Sequence, residues 1–180
     1  MRALTALAAA AFAVAALAAD SNIDLLHSTL VATFRQQAVS IDAAFRRFEG
    51  KIDYDPALPA ATRATLSVDM TSLDIGDDDS SAEVRKSAWF DSAHFPRASF
   101  RSTSVKPSAA GHFDVAGELT IKGQARPITV MVSVQQVGAA LAYDGSFELS
   151  RQDFKIGDPA WNQVLDDKVR VRFHLLAAGH

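Results

Sequence analysis

The chain has 180 residues, of which 48% are hydrophobic and 22% are charged, and it carries a formal net charge of −3. This composition excludes a disordered or collagen-like protein and fits a single compact domain. Because the chain has no cysteine and no basic stripe, we expect neither a disulfide framework nor thiolate chemistry nor a nucleic-acid partner.

Residues 1–19 have the pattern of a secretory signal peptide. A basic start at Arg2 is followed by an apolar, alanine-rich run that ends in the small-x-small pattern Ala16 to Ala18. A transmembrane anchor fits less well because the run is short for a bilayer span and has no basic stop-transfer flank. We therefore expect cleavage after residue 19, export of the chain, and one domain over residues 20–180.

From residue 48 onward, apolar residues recur at every second position, which is typical of strands with one buried face. The apolar faces predicted in this way are Phe48, Ile52 and Tyr54; Ala64, Leu66, Val68 and Met70; Phe113, Val115, Leu119 and Ile121; Ile128, Val130, Val132 and Val134; Leu141, Tyr143, Phe147 and Leu149; and Val169, Val171, Phe173 and Leu175. Short turns between these runs predict antiparallel pairing. Residues 34–43 fit either a helical turn or an irregular strand.

One segment breaks the alternation. Ser80 and Glu83 have the spacing of a capping box, and the acidic residues 77–79 lie where a helix N-terminus favours negative charge. The sequence therefore predicts a short helix over about residues 81–88. With about eight strands and one or two short α-helices, the chain is predicted to be all-β, closing into an antiparallel barrel or folding into a sandwich.

Aromatic side chains are concentrated in WFDSAHFPRASF, which contains Trp89, Phe90, Phe95 and Phe100. Two interpretations of this stretch are open from the residues alone. Full burial of one such ring is worth roughly 1.5–3 kcal/mol, so an ordinary core explains the aromatics without a ligand. The alternative is that they line a cavity built for an apolar molecule.

Residues with catalytic or metal-binding chemistry show no functional spacing. The five histidines form no His-x-His or i, i+4 pair, no G-x-S-x-G nucleophile motif occurs, and no glycines form a G-x-G-x-x-G fingerprint. Arg151 and Asp153 share a face of the predicted strand, and this predicts a structural ion pair near the barrel rim. The sequence therefore predicts a protein that is not an enzyme and binds no metal.

Five stretches of the chain, in this order, resemble the YceI-like family of secreted bacterial proteins, which are also described as polyisoprenoid-binding or lipid-binding domains. They are NIDLLHSTLVATF, FRRFEGKIDYDP, WFDSAHFPRASFRSTSV, GELTIKGQARPITV and SRQDFKIG. One such stretch is a weak signal, whereas five in the family's order are specific. The resemblance extends over nearly the whole chain after the signal peptide.

The resemblance implies an antiparallel, lipocalin-like β-barrel whose lumen accepts the isoprenoid tail of a quinone or another lipid. It implies a non-enzymatic periplasmic binding protein that transports or stores this ligand, has no other cofactor, and makes transient contact with a membrane or a membrane cytochrome. A ligandless secreted β-domain, acting as a protein-interaction or stress-response module, stays the alternative, because a filled core would explain the same aromatics.

The resemblance also implies which residues bind the ligand, namely the inward-facing side chains of the strands and of the aromatic stretch. They are Phe48, Ile52, Tyr54, Leu66, Val68, Trp89, Phe90, Phe100, Ser102, Phe113, Val115, Leu119, Val130, Val132, Tyr143, Phe147, Val171 and Phe173. Phe95 is expected to anchor its loop through Pro96 instead. Ser102 and Ser104 either face a quinone head group or bond neighbouring backbone.

Overall fold

The computed structural model describes residues 22–178, so the signal peptide predicted for residues 1–19 lies outside the described residues. The strands are β1 (Thr29–Gln36), β2 (Val39–Phe45), β3 (Phe48–Asp53), β4 (Arg63–Asp69), β5 (Leu73–Asp74), β6 (Arg97–Ala109), β7 (His112–Ile121), β8 (Gln124–Val137), β9 (Ala140–Ser150) and β10 (Lys168–Ala178). One α-helix, α1, covers Asp78–Glu83, and 3-10 turns cover Leu25–His27, Pro59–Ala61, Met70–Ser72, Gln152–Phe154 and Pro159–Gln163. Within these residues, no helix has the length and hydropathy that a bilayer span requires.

All strands belong to one antiparallel sheet in the order β3-β4-β6-β7-β8-β9-β10-β1-β2-β5. This order confirms the all-β, lipocalin-like prediction, and a single curved sheet excludes the sandwich. The sheet has 10 strands rather than about eight. One reason is that β5 contains two residues, too few for an alternating pattern. The other is that the ambiguous residues 34–43 form parts of β1 and β2, which are joined by a turn at Gln37 and Ala38 with positive φ.

Because neighbouring strands run antiparallel, the connections between them lie at two opposite ends of the barrel. The tyrosine end, named after Tyr54, carries the β3–β4 connection (residues 54–62) and the hairpin turns after β6 and β8. The tryptophan end, named after Trp89, carries two longer connections, residues 75–96 and 151–167. Along each strand, apolar and polar side chains alternate between the inner and outer faces of the sheet, so the apolar faces enclose the space inside the barrel.

The chain itself seals the seam between β3 and β10 with Asn22. Its backbone N–H donates to the carbonyl of Gly50 at 3.1 Å, and its carbonyl accepts from the N–H of Ala178 at 3.0 Å. Its side-chain amide donates to the carbonyl of Ile52 at 2.8 Å and accepts from the N–H of the same residue at 2.9 Å. Asn22 therefore links β3 and β10, which do not pair directly, through its own hydrogen bonds to both strands.

The α-helix begins earlier than the sequence indicated. It covers Asp78–Glu83 rather than residues 81–88, and its N-cap is Asp77, whose carboxylate accepts from the N–H of Ser80 at 2.7 Å. The predicted cap at Ser80 is therefore wrong by one helical turn. The reason is that aspartate caps a helix as well as serine does, and Asp77 comes first along the chain. Beyond Val84 the chain continues in turns toward the aromatic stretch.

We predict that Asn22→Ala lowers the free energy of unfolding by about 1–3 kcal/mol, because two hydrogen bonds to the partly buried backbone of Ile52 are lost. Urea denaturation measures this difference. Gln136→Ala is the matched control, since it removes an exposed amide whose hydrogen bond is local, and it should change stability by less than about 0.5 kcal/mol. Equal effects of the two variants would contradict a sealing role for Asn22.

Candidate functional site

The interior of the barrel contains a cavity of about 240 Å³ whose surface is almost entirely carbon. Its wall draws on every strand and on the two connections at the tryptophan end. The volume lies just below the range of about 300–1,000 Å³ typical of small-molecule pockets. The cavity therefore suits a slender apolar chain rather than a bulky compact ligand.

The aromatic stretch takes part in the cavity rather than filling it. Trp89, Phe90 and Phe100 all belong to the wall. Phe95 does not, and its ring instead lies against Gly123 in the turn between β7 and β8. The other residues predicted to bind the ligand also lie in the wall, with two exceptions.

The exceptions are Phe48 and Ser102. Phe48 opens β3 next to the crossing from β2, and its buried ring belongs to the packed core outside the wall. Ser102 lies at a register shift between β6 and β7, and its hydroxyl accepts from the N–H of Ala64 at 2.9 Å. Ser102 thus bonds neighbouring backbone, the second of the two roles expected for it, and it lies one residue beyond Arg101, the last paired residue of β6 in the ladder with β4.

Two glycines explain how large rings can line a lumen without closing it. Gly117 and Gly145 face inward, and a Cβ on either would lie 2.4 Å from the ring of Phe100 or 2.5 Å from the ring of Phe173, respectively. Each ring therefore occupies the space directly over a glycine and lies close to the sheet. The barrel gains the burial of the rings while its centre stays empty.

Sequence reasoning missed the part of the wall that comes from β1 and β2. Leu30, Ala32 and Phe34 from β1, with Ala43 and Phe45 from β2, all line the cavity. These residues alternate as the others do, but two of them are alanines, which carry a weak apolar signal. The turn between the two strands also has no glycine or proline to mark it, so this region could be taken for a helical turn.

Arg151 lies in the wall at the tryptophan end and is only 2% exposed. Its guanidinium donates to four uncharged oxygens, which are the carbonyls of Ile156 at 3.0 Å, Asp166 at 3.1 Å and Leu165 at 3.2 Å and the side-chain Oδ1 of Asn162 at 2.7 Å. Oxygen dipoles in this arrangement compensate a buried charge that would otherwise be costly. Arg151 thereby holds residues 151–167 across the end of the barrel as a floor.

The ion pair predicted between Arg151 and Asp153 is wrong. β9 ends at Ser150, so these two residues lie in the connection that follows and do not share a strand face. Asp153 is exposed to solvent, whereas the guanidinium of Arg151 points into the fold toward neutral acceptors. The periodicity of β9 gave no indication that the chain turns at this point.

A second set of contacts joins the floor to residues 75–96. The rings of Trp89 and Trp161 pack with their centroids 5.8 Å apart. The ammonium group of Lys122 donates to the carbonyls of Ser87 at 2.8 Å and Lys155 at 2.9 Å, and partial burial lowers the pKa of this lysine. The two connections therefore brace each other across the tryptophan end.

The tyrosine end has a different chemistry. The ring of Tyr54 packs edge-on against Tyr143 and Phe113, with centroid distances of 6.2 Å and 5.8 Å. Burial, with a smaller effect from Tyr54, raises the pKa of Tyr143 to about 12, so its phenol stays protonated at neutral pH. Thr62, also in the wall, has a buried hydroxyl oxygen with no hydrogen-bond partner.

Within residues 22–178, no group of three or more histidine, cysteine, aspartate or glutamate side chains is arranged to hold a metal ion. Histidines pair with aspartates on the surface instead, as His174 does with Asp144 at 2.7 Å. The cavity is therefore the candidate site that the described residues offer.

The fold and much of the sequence are shared with other bacterial proteins. Residues 22–177 match a family model described as YceI-like domain. A UPF0312 protein of Vibrio cholerae is 29% identical over 168 residues, covering 87% of this chain and 88% of that protein. The crystal structure of Burkholderia cenocepacia BcnA is 35% identical with a TM-score of 0.84, covering 87% of this chain and 99% of BcnA.

A more distant structure shares the fold alone. It is a polyisoprenoid binding domain from Saccharophagus degradans, implicated in plant cell wall breakdown, which is 19% identical to this chain. The two structures superpose with a TM-score of 0.70, covering 87% of this chain and 97% of that domain. The barrel architecture therefore persists where most of the sequence has changed.

We predict that Gly145→Ala destabilises the protein by about 1–3 kcal/mol, because the new methyl group displaces the ring of Phe173 into the lumen. Adding Phe173→Leu should restore part of this loss. Gly117→Ala should not be restored by Phe100→Leu, since its methyl also lies 2.5 Å from the backbone carbonyl of Arg101. Double-mutant cycles from urea unfolding measure both couplings, and no coupling between Gly145 and Phe173 would contradict the arrangement.

Arg151→Met should lower the free energy of unfolding by about 3–5 kcal/mol, because the buried oxygens of the floor lose their donor. Arg170→Met is the control, as Arg170 is 62% exposed and pairs with Glu148 on the outer surface. That variant should cost at most about 1 kcal/mol. Chemical denaturation of both variants tests the difference, and a mild effect at Arg151 would be inconsistent with a structural floor.

Proposed function

The chain belongs to the YceI-like domain family, and from this premise we propose that it is a non-enzymatic carrier that holds an isoprenoid, quinone-like or other lipid tail in its barrel. The observation that carries the proposal is the cavity of about 240 Å³ with its carbon surface. Such a wall surrounds a lipid tail with apolar side chains.

The energetics favour an apolar guest. Each Å² of apolar surface that leaves water contributes about 25 cal/mol, so a tail gains from the whole length that it threads into the lumen. The positions of Phe100 and Phe173 directly over glycines support the proposal. The glycines let these rings lie close to the sheet, which leaves the centre of the barrel open to a ligand. Side chains around an apolar cavity lack van der Waals contacts on one side, and a bound lipid tail would supply them.

The class of tail is suggested by the distant relative described as a polyisoprenoid binding domain. Isoprenoid chains are long, slender and apolar, so a narrow apolar lumen suits them. We place the protein in the periplasm after removal of residues 1–19 by signal peptidase. There it would store a lipid or move it between membranes, in transient contact with a membrane or a membrane cytochrome.

The alternative function, a ligandless module for protein interaction or stress response, depended on a lumen packed by its own side chains. The cavity removes that advantage, because the aromatics that would have filled the core lie along the wall instead. The carrier is therefore the function that the geometry favours.

The proposal is tested by purifying the mature protein without detergent, extracting it with organic solvent and identifying bound lipid by mass spectrometry. We expect an isoprenoid lipid from the wild type. Val132→Trp, which fills the lumen from β8, should abolish recovery, whereas its neighbour Met131→Trp should not, because Met131 is 61% exposed on the outer face.

Circular dichroism controls for folding, since overpacking a core costs about 1–3 kcal/mol. A wild type that yields no lipid and takes up no quinone analogue would overturn the carrier function. Equal lipid recovery from the two tryptophan variants would show that the lipid binds elsewhere.

A further inference from the structure

Large apolar side chains that stay exposed are concentrated at the tyrosine end. Seven such side chains occur within residues 22–178, and four of them, Leu25, Leu26, Leu58 and Val137, lie on or next to the connections of this end. Leu26 is 92% exposed and Leu58 is 63% exposed. Single exposed apolar side chains are ordinary, but several grouped in one region indicate an interaction surface.

The fold brings these side chains to one end from three separate places in the chain. Leu25 and Leu26 belong to the 3-10 turn before β1, and the N–H of Asp24 ties this turn to the end of β10 by donating to the carbonyl of Leu176 at 2.7 Å. Leu58 lies in the β3–β4 connection, and Val137 ends β8 at its hairpin turn. The exposed apolar residues are therefore distributed around the end of the barrel.

Two aspartates hold the most exposed leucines in defined turns. The carboxylate of Asp24 accepts from the N–H of Leu26 at 3.0 Å. The carboxylate of Asp55 accepts from the N–H of Ala57 at 2.8 Å, and the carbonyl of Asp55 accepts from the N–H of Leu58 at 3.1 Å. Turns of this kind are stabilised by the aspartate itself, so the exposure of the two leucines is built into the local structure.

Charged residues are sparse at the tyrosine end and frequent at the other. In residues 24–28, 54–62, 110–111 and 138–139, two of the 18 residues are charged, and these are the turn-forming Asp24 and Asp55. In residues 75–96 and 151–167 at the tryptophan end, 13 of the 39 residues are charged. Because charged groups lose much free energy on leaving water, the tyrosine end is the end suited to an apolar environment.

The two ends also differ in how much chain is available to cover the lumen. The tryptophan end has the two long connections, which are joined by the packing of Trp89 against Trp161. At the tyrosine end, the turns after β6 and β8 have two residues each, and residues 54–62 form the longest connection. The lumen therefore has the smaller cover at the end that carries the exposed leucines.

We propose that the tyrosine end is a membrane-docking surface, from which Leu25, Leu26, Leu58 and Val137 enter the outer layer of a lipid bilayer. The inference rests on the proposed carrier function and adds the surface that meets the membrane and the orientation of the barrel on it. Binding at a bilayer surface increases with the apolar area that leaves water, and the four side chains supply this area. In this orientation the smaller cover of the lumen faces the bilayer, and the charged tryptophan end stays in water.

Flotation of the mature protein with vesicles of phosphatidylcholine and phosphatidylethanolamine tests the surface. We expect the wild type to bind, and Leu26→Ser/Leu58→Ser to need about 10- to 100-fold more lipid for half-maximal binding. The matched control is Val39→Ser/Met131→Ser, because Val39 is 63% exposed at the β1–β2 turn of the tryptophan end and Met131 is 61% exposed on the side of the barrel. The control variant should bind as the wild type does, and circular dichroism checks that both double variants are folded.

Salt separates apolar insertion from attraction between charges. Raising sodium chloride from about 0.1 M to about 0.5 M screens exposed charges but leaves apolar contacts in place. Binding of the wild type to these vesicles should therefore not weaken with salt. Binding that disappears at the higher salt concentration would contradict docking through leucines.

The tryptophans give an independent readout of orientation. The chain has two of them, Trp89 and Trp161, and both lie at the tryptophan end. Brominated acyl chains should therefore leave the fluorescence of the docked wild type unquenched, whereas the indole introduced by Leu58→Trp should be quenched. Quenching of the wild type would show that the opposite end docks, and would overturn the proposal.

Three further results would overturn the docking surface. They are no vesicle binding by the wild type, equal binding by the two double variants, and a wild-type dimer that Leu26→Ser/Leu58→Ser converts to a monomer in light scattering, since a second copy would then cover the leucines. The carrier function fails separately. Vesicle binding without lipid recovery would refute the carrier and keep the surface, and lipid recovery without vesicle binding would do the reverse.

Discussion

The structure depends on a constraint that most proteins do not face: its interior has to be apolar and lined by large rings, yet stay unfilled. Protein interiors normally pack to the density of organic crystals, and side chains around a void lose contacts. The barrel meets the constraint in part by pairing two of its inward rings with glycines, Phe100 with Gly117 and Phe173 with Gly145. These two rings then lie against the backbone of the sheet.

Stability that the empty centre does not provide comes from the periphery. The sheet ladder is continuous through all strands, and Asn22 extends it across the seam between β3 and β10. At the tryptophan end, the guanidinium of Arg151 binds residues 151–167 through uncharged acceptors, and at the tyrosine end the ring of Tyr54 packs against Tyr143 and Phe113.

The sequence predicted the features that arise from local patterns. The alternation in β4 and β7 to β10 identified most of the cavity wall, and the family motifs identified the architecture. Features that depend on distant contacts were not predictable. The role of Ser102 depends on the backbone of Ala64 in a neighbouring strand, and the role of Arg151 depends on carbonyls contributed by a later turn. The helix was misplaced because Asp77 and Ser80 are both good caps, and local sequence alone does not choose between them.

The pairing of β1 with β10 has a consequence for how the molecule is made. Thr29 faces His174 in this ladder, so one edge of the first strand stays unpaired until the last strand exists. Contacts between residues so far apart along the chain form slowly, because the chain loses the entropy of closing a long loop before the contacts stabilise it. We expect the domain to fold after its synthesis rather than during it. A truncated product lacking the final strand would display unpaired edges and a bare apolar face, and would be prone to aggregation.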